Sequence, residues 1–149
     1  MGNHIDDHEQ AVSLKLFVVL SKAYKHIADQ AVKDMKRYNL SPAEFTALEV
    51  LYHKGKMPLQ LIGEKILVTS GSVTYNIDKL EKKGLLKRVP CENDRRVTYA
   101  EMTEEGRELF DRIFPQHSAM IHSLMGGLST AEKEAAIELI KKLGKGAME

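Results

Sequence analysis

The chain has few of the features that would place it in a membrane or an oxidising compartment. Its 149 residues include no tryptophan and a single cysteine, Cys91, which excludes an intrachain disulfide and a cysteine-rich zinc site. No apolar run approaches the roughly 20 residues that a membrane-spanning helix needs. The first residues lack the basic start and apolar centre of a signal peptide. We therefore expect a cytoplasmic protein with no membrane partner.

The chain also lacks a strong net charge, because 22 Lys and Arg balance 21 Asp and Glu to a formal +1. That average conceals a basic cluster between positions 82 and 96, where Glu92 and Asp94 are the acidic residues. Its basic members are Lys82, Lys83, Lys87, Arg88, Arg95 and Arg96. The location of charge matters more than its sum when the partner is a polyanion, so the cluster indicates nucleic acid. A solvated surface is the simpler alternative.

Helical patterning dominates the N-terminal part. Residues 10–38 contain neither Gly nor Pro, and apolar side chains recur in steps of three or four, which predicts one long amphipathic helix. Leu14, Phe17, Val18 and Leu20 add a second apolar face to its first half. We expect one face to pack on the chain's own core and the other on a partner subunit.

The next segment has the pattern of a helix-turn-helix. Ser41-Pro42-Ala43-Glu44 predicts a capped helix start, and Gly55 predicts the end of that helix. After a short break at 56–58, an apolar segment predicts a second helix up to Val68. A polar turn then precedes a third helix that stops at Gly84, and such an arrangement is typical of a helix-turn-helix.

After this helix the pattern changes to that of strands. Residues 85–89 and 97–102 are short and relatively β-branched, and they flank a polar segment, which predicts a hairpin. Thr103 predicts the start of a further helix, with a kink at Pro115. A second capping box at Ser129 predicts the start of a final helix.

The third of these helices offers polar side chains suited to reading DNA. The candidates are Ser70, Ser72, Thr74, Tyr75 and Asn76. Such groups hydrogen-bond base edges and phosphates when the second helix of the motif enters the major groove. The apolar Val73, Ile77 and Leu80 would hold the helix to the core. Alternatively, Ser70 and Ser72 only cap the helix.

The hairpin supplies a second candidate DNA contact. Arg95 and Arg96 lie at its tip and Lys87 and Arg88 at its root, so an arginine can reach the minor groove, where the potential is most negative. Asp94 would orient a neighbouring guanidinium through a charge-assisted hydrogen bond. The alternative is a plain salt bridge that tightens a surface turn.

These motifs together resemble the multiple antibiotic resistance regulator (MarR) family. The resemblance rests on residues 80–88, followed by Asp94-Arg95-Arg96 and Met102-Thr103. The family pattern is aspartate, any residue, arginine, five residues and then leucine-threonine. This chain matches it at Asp94, Arg96 and Thr103, with Met102 in place of leucine.

The resemblance implies one domain over residues 1–149, mainly α with a small β-hairpin wing. Segments 10–38 and 104–145 would form the dimerisation helices, and 41–103 the winged helix-turn-helix lobe. It further implies a homodimeric repressor of a pseudo-palindromic double-stranded DNA operator, whose half-sites lie roughly 34 Å apart. The dimer contacts expected from the apolar pattern are Leu14, Phe17, Val18, Phe110, Phe114, Leu128, Ile137 and Ile140.

The family usually binds an inducer between the dimerisation helices and the winged lobe. The candidate residues for a small aromatic effector are Tyr24, His26, Met35, Tyr38 and Phe45, which offer apolar walls with a few polar groups. They would otherwise be ordinary core and surface residues. The stretch from Arg88 to Glu101 resembles quinone-responsive members of the family, which implies a phenolic or quinone-type inducer.

Other functions are less well supported by the sequence. Cys91 lies near arginines that favour a thiolate, so a redox-sensing repressor is one alternative, and an inert thiol is another. His4 and His8 have a metal-compatible spacing in a terminus that we expect to be solvated, so we predict no metal and no cofactor. No catalytic motif is present, so we predict no enzyme. A winged helix used only for protein contacts, or a transcriptional activator, remains open.

Overall fold

A computed structural model of the chain describes residues 6–66 and 70–148, leaving out the side chains at 66, 70 and 71. Over these residues it contains six helices and three short strands. The helices are Asp7–Lys36 (α1), Pro42–Lys54 (α2), Leu59–Ile66 (α3), Ser70–Lys82 (α4), Glu104–Leu124 (α5) and Thr130–Met148 (α6). The strands are Met57–Pro58 (β1), Leu86–Pro90 (β2) and Thr98–Met102 (β3). The predicted mainly helical class with a β wing is confirmed, whereas the predicted turn residue Thr69 lies outside the described residues.

Side-chain caps start three of the helices where the sequence predicts them. At α2, the Glu44 amide donates to Ser41 Oγ at 3.1 Å and the Ser41 amide donates to Glu44 Oε1 at 3.3 Å. At α6, Ser129 and Glu132 make the same reciprocal pair at 3.2 and 2.9 Å. At α5, the amide of Gly106 donates to Thr103 Oγ1 at 3.0 Å. Each cap satisfies backbone groups that a helix end leaves without partners.

Thr103 also ties the hairpin together at its base. Its hydroxyl donates to the carbonyl of Gly84 at 2.6 Å, and its amide donates to the carbonyl of Leu85 at 3.1 Å. Gly84 and Leu85 precede the first hairpin strand, and Thr103 follows the second. The two ends of the hairpin are therefore joined directly at the point where α5 begins.

The sheet contains a strand that the sequence analysis missed. The strand order is β1-β3-β2, with antiparallel pairing throughout. Met57 and Arg88 both pair with Ala100, one on each side of the central strand. We predicted only a break at 56–58, because two residues are too few to show an alternating pattern. Pro58 is compatible with this edge position, since an edge strand does not need every amide as a donor.

The hydrophobic core lies within the winged lobe and the adjoining parts of α1 and α5. Its buried members are Leu40, Phe45, Ala47, Leu48, Leu51, Met57, Ile62, Val73, Ile77, Leu80, Leu86, Ala100, Phe110 and Ile113. Phe110 was predicted as a dimer contact, and that assignment is wrong. Its ring is fully buried, with centroids 5.1 Å from Phe45 and 5.3 Å from Tyr52. Phe114 is partly buried against the same core.

The first half of α1 is exposed on both predicted faces. Phe17 on the second predicted face is 69% exposed, and Val12, Leu16 and Val19 on the first are about half exposed. Asp34 is the buried residue of this helix, so the core covers only its C-terminal end. Periodicity identifies an apolar face, but it does not identify the surface that covers the face.

The chain divides into two compact units, one up to His117 and one from Ser118 onward. The division falls inside α5. In the second unit α6 has no buried residue, and its apolar side chains, including Ile137 and Ile140, are exposed. None of the described helices is both long enough and apolar enough to cross a membrane.

Candidate nucleic-acid interface

Helix α4 has a buried apolar side and an exposed polar side. Val73, Ile77 and Leu80 are buried in the core, which confirms that they hold the helix in place. Tyr75 lies on the other side and is 59% exposed. Ser72 and Thr74 are exposed as well, and both interact within the chain. The side chain of Ser70 lies outside the described residues.

Asn76 does not fit the predicted role in reading bases. Its side chain is 8% exposed, and its Nδ2 donates to the carbonyl of Ser72 at 2.7 Å. Asn76 lies three residues after Val73 and next to Ile77, so helical periodicity places it on the buried side. That signal was present in the sequence, and we drop Asn76 from the DNA contacts.

Lys79 joins the exposed side of α4, although the sequence analysis did not select it. Its Nζ lies 4.8 Å from the centroid of the Tyr75 ring, one turn earlier on the helix. Contact with Tyr75 raises the pKa of Lys79 above its ordinary value. The pair places a cation and a phenol side by side on a solvated helix face.

The wing, defined as β2, β3 and residues 91–97 between them, presents an exposed arginine that is bonded to a neighbouring carboxylate. Arg96 has a side chain that is 90% exposed. Its Nε and one terminal nitrogen donate to the two carboxylate oxygens of Asp94, at 3.1 and 3.3 Å. The Arg96 amide donates to the same carboxylate at 3.0 Å. These side-chain and backbone bonds hold the pKa of Asp94 below its usual range.

Arg88 is placed quite differently from Arg96, and its predicted DNA contact is not supported. Its side chain is 28% exposed, and its guanidinium donates to Asp78 at 2.6 Å and to Glu81 at 2.8 Å. Both carboxylates belong to α4. A bond to Asp78, together with the charge of Glu81, raises the pKa of Arg88 despite partial desolvation. Sequence position alone did not indicate this pairing.

The other basic residues divide between internal and exposed positions. Lys83 Nζ bonds the buried carboxylate of Glu44 at 2.7 Å and the carbonyl of Asn39 at 2.6 Å. Lys87 is mostly exposed, with its Nζ 3.9 Å from Glu101 on the neighbouring strand. Arg95 is exposed at the wing tip. The cluster read from the sequence is therefore only partly available to an anionic partner.

Comparison with known proteins identifies the family. Residues 40–98 match the model of the MarR family. The chain is 51% identical over 135 residues to the HTH-type transcriptional regulator MhqR of Bacillus subtilis, which covers 91% of this chain and 93% of that protein. The chain belongs to the MarR family. It is thus a DNA-binding transcriptional regulator with a winged helix. Because the family and this relative are transcriptional regulators, the prediction that the chain is not an enzyme is confirmed.

Solved structures of this family share the fold. AbsC, a MarR family transcriptional regulator from Streptomyces coelicolor, matches with a TM-score of 0.83 at 19% identity, over 99% of both chains. Sco3205, a MarR family regulator from the same organism solved in complex with DNA, matches with a TM-score of 0.83 at 19% identity. That match covers 98% of this chain and 91% of the other. At such identities the likeness shows the fold alone.

The five predicted effector residues do not come together. Phe45 is fully buried, and Met35 and Tyr38 pack against the core that contains it. Tyr24 and His26 are exposed nearer the N-terminus of α1. Tyr24 and Met35 are separated by about 16 Å along the helix axis, from the rise per residue. One small molecule in a single subunit cannot contact all five, so Tyr24 and His26 are not retained with the others.

A buried polar cluster beside Met35 and Tyr38 escaped the sequence analysis. His117 Nδ1 lies 3.1 Å from Asp34 Oδ2, and both side chains are buried. The Tyr38 hydroxyl contacts Asp34 Oδ1 at 3.5 Å and Gln116 Oε1 at 3.3 Å. Burial and the adjacent Asp34 raise the pKa of Tyr38. Asp34 and Tyr38 have i,i+4 spacing, but their partners come from a helix distant in sequence.

The remaining candidates show no assembled chemical site. Cys91 is half-buried at the start of the wing loop, where its amide donates to the carbonyl of Val97 at 3.1 Å. Within the described part of the chain, no three or more His, Cys, Asp or Glu side chains form a group suited to a metal ion. Of the predicted histidine pair, His4 lies outside the described residues.

Proposed function

We propose that this MarR-family chain is a homodimeric repressor that binds a pseudo-palindromic operator. Helix α4 enters the major groove of each half-site, and the wing reaches the adjacent minor groove. The observation that carries the proposal is Arg96, which is 90% exposed and held in place by Asp94. The domain arrangement in this proposal is the predicted one, with segments 10–38 and 104–145 forming the dimer around the lobes.

The geometry of Arg96 suits insertion into a narrow groove. A guanidinium carries five N–H donors, and Asp94 engages only part of them, so the rest face solvent. Because the two bonds already restrict the side chain, less conformational entropy is lost when it binds. The neighbouring Arg95 adds a second positive charge where the potential of DNA is most negative.

Helix α4 supports the major-groove part of the proposal. Its exposed side carries Tyr75 with the Lys79 ammonium beside the ring. Ser72 and Thr74 belong to the same N-terminal part of the helix, as does the predicted Ser70. In helix-turn-helix proteins this part approaches the base edges, where phenols and hydroxyls bond bases or phosphates.

The exposed apolar side chains support the dimer. Leu14, Phe17 and Val18 on α1, with Ile137 and Ile140 on α6, are all strongly exposed in the single chain. Apolar surface of this extent is typical of a protein interface. A two-fold symmetric pair of lobes matches a pseudo-palindromic operator, because both have the same symmetry axis.

An effector that releases the repressor is the finer part of the proposal. Met35 and Tyr38 border the polar cluster of Asp34 and His117, so this region combines an apolar surface with hydrogen-bonding groups. The resemblance of the wing sequence to quinone-responsive members favours a phenol or a quinone as the inducer. A cytoplasmic location is part of the same proposal.

The DNA-binding proposal is tested by fluorescence anisotropy on promoter DNA from upstream of the gene. Arg96→Ala should weaken specific binding by about 1–3 kcal/mol. Lys142→Ala is the matched control, because it removes one exposed positive charge from α6 and not from α4 or the wing. The spacing of two from Ile140 places Lys142 on the opposite side of the helix from that proposed dimer contact, so affinity should be unchanged. A folded dimer without specific binding would instead favour the protein-contact alternative. Transcription from the same promoter in vitro distinguishes repression from activation.

The inducer is tested by adding methylhydroquinone or catechol to the preformed complex. Release of the wild type, reduced in Tyr38→Phe and unchanged in Tyr24→Phe, supports binding near Tyr38. Cys91→Ser separates this mechanism from thiol sensing, since a thiol sensor loses its response when the sulfur is removed. DNA binding that survives every compound leaves the regulator intact and contradicts this class of inducer.

A further inference from the structure

Arg88 connects the two DNA-contacting elements of the lobe. It lies on β2, the first strand of the wing, and its guanidinium spans two carboxylates of α4, at 2.6 Å from Asp78 and 2.8 Å from Glu81. The Arg88 amide also donates to Glu81, at 3.3 Å. Both the side chain and the backbone of this residue are therefore attached to α4.

The ion pairs of Arg88 with Asp78 and Glu81, termed the Arg88 bridge, join strand β2 to helix α4. Arg88 pairs with Ala100, a buried residue of the central strand, so its backbone is fixed within the sheet. Asp78 and Glu81 are three residues apart, on the same side of α4. A planar guanidinium that bonds two carboxylates from one helix restricts the orientation of its strand relative to that helix.

The Arg88 bridge also changes the charge that α4 presents. Asp78 and Glu81 are about half exposed on a helix that faces a polyanion, and two free carboxylates there would repel phosphates. Arg88 donates to both carboxylates, and its single positive charge offsets one of the two negative charges. Because Arg88 is paired with these carboxylates, its positive charge is less available to a phosphate than that of Arg96, whose side chain is 90% exposed.

We infer that Arg88 is a positioning residue for DNA binding, which sets the wing relative to α4 and masks the carboxylates of Asp78 and Glu81 without contacting DNA itself. The inference rests on the proposed function, because it concerns how the wing and α4 engage one half-site together. Arg88 positions the wing from within the lobe, and Arg96 makes the proposed contact with DNA.

The first test measures how affinity depends on salt. The magnitude of the slope of log K against log salt falls by about 0.9 for each phosphate contact removed. Arg88→Ala should weaken specific binding by about tenfold or more, and part of the slope should be lost because the exposed arginines of the wing no longer reach DNA. In a background without Arg95 and Arg96, Arg88→Ala should leave the slope unchanged, because Arg88 itself does not contact a phosphate. A further fall of about 0.9 in that background would overturn the inference.

The second test removes the partners of Arg88. The double variant Asp78→Asn, Glu81→Gln makes α4 more positive, so simple electrostatics expects tighter binding. The positioning role expects hydroxyl-radical protection of the minor groove beneath the wing to weaken, while protection around α4 persists at saturating protein. Unchanged protection under the wing contradicts the inference. In the background with both acids present, Arg88→Lys keeps the charge but not the planar fork, so it should retain this protection only in part.

The third comparison separates this role from folding and from the proposed function. If Arg88 only stabilised the lobe, Arg88→Ala would lower the melting temperature and reduce all protection equally, and that result overturns the inference. In the background without the two acids, Arg88→Ala should lose less affinity than it does in the wild type. An equal loss in both backgrounds contradicts coupling. Failure of the wild type to bind its promoter contradicts the proposed function itself.

Discussion

Apolar side chains are buried in the winged lobe but exposed on the first half of α1 and on α6. In the lobe, side chains such as Leu48, Ile77 and Leu80 are fully covered by the chain's own helices and sheet. In α6 no residue is buried, and in α1 the buried residue is Asp34. The lobe therefore carries its own core, whereas the first half of α1 and α6 leave their apolar side chains exposed in the single chain. Stability of the lobe and assembly of the proposed dimer should be separable by mutation.

The largest effect should come from the lobe core. Phe110→Ala removes a fully buried ring that contacts Phe45 and Tyr52, and should lower the free energy of unfolding by about 3–5 kcal/mol. Denaturant unfolding monitored by circular dichroism measures this loss. Phe114→Ala is the matched control, since that ring is only partly buried and its removal should cost clearly less. Equal losses would contradict the difference in burial.

The next largest effect should come from the proposed dimer surface. Phe17→Asp places a charge on a side chain that is 69% exposed in the single chain, so the isolated lobe should keep its fold. Burying that charge in the dimer should weaken association by about 3 kcal/mol or more. Sedimentation velocity reports the change, and Phe17→Leu serves as the apolar control. An undisturbed dimer would exclude this position from the interface.

Two glycines offer a smaller and sharper comparison. A Cβ at Gly106 would lie 2.2 Å from the carbonyl oxygen of Leu85, so Gly106→Ala should lower the melting temperature by an amount equivalent to about 1–3 kcal/mol. A Cβ at Gly144 in α6 meets nothing within 4 Å. Gly144→Ala should therefore be neutral or stabilise the helix by up to about 1 kcal/mol. Thermal unfolding of both variants decides, and destabilisation at Gly144 would reveal an unrecognised contact.

The smallest effect concerns pH and the wing. Because Arg96 holds the pKa of Asp94 below its ordinary 3.8, the ion pair should persist as pH falls through that value and be lost only at lower pH. The pair contributes at higher pH, where the carboxylate is charged. Carbon-detected NMR of the Asp94 carboxyl group follows this titration, with Arg96→Ala as the comparison. If the titration midpoint of Asp94 does not rise in Arg96→Ala, Arg96 does not lower the pKa of Asp94.

The features that the sequence predicted correctly are local ones. The caps at Ser41, Thr103 and Ser129 depend on residues within a few positions, and each forms as expected. The exposed Arg96 with its neighbour Asp94 is local in the same sense. Asn76 could have been assigned correctly, since its helical spacing from Val73 places it on the buried side.

The features that were missed depend on elements that meet only in the folded chain. Arg88 reaches Asp78 and Glu81 because β2 passes beside α4, and no spacing rule encodes that approach. The His117–Asp34 contact joins residues 83 positions apart. Likewise, strand β1 exists only because β3 offers it a partner. An apolar face is visible in sequence, but its covering surface, as on α1, is a property of tertiary or quaternary structure.

The closure of the hairpin at Thr103 has a consequence for changes of length in the wing loop. Because Thr103 joins the carbonyls of Gly84 and Leu85 across the base of the hairpin, α5 starts from a point that does not depend on the loop beyond the strands. Insertions or deletions in residues 91–97 can therefore alter the reach of the loop without shifting the start of α5. A longer or shorter loop would then move the positions of Arg95 and Arg96 while the base of the hairpin keeps its contacts.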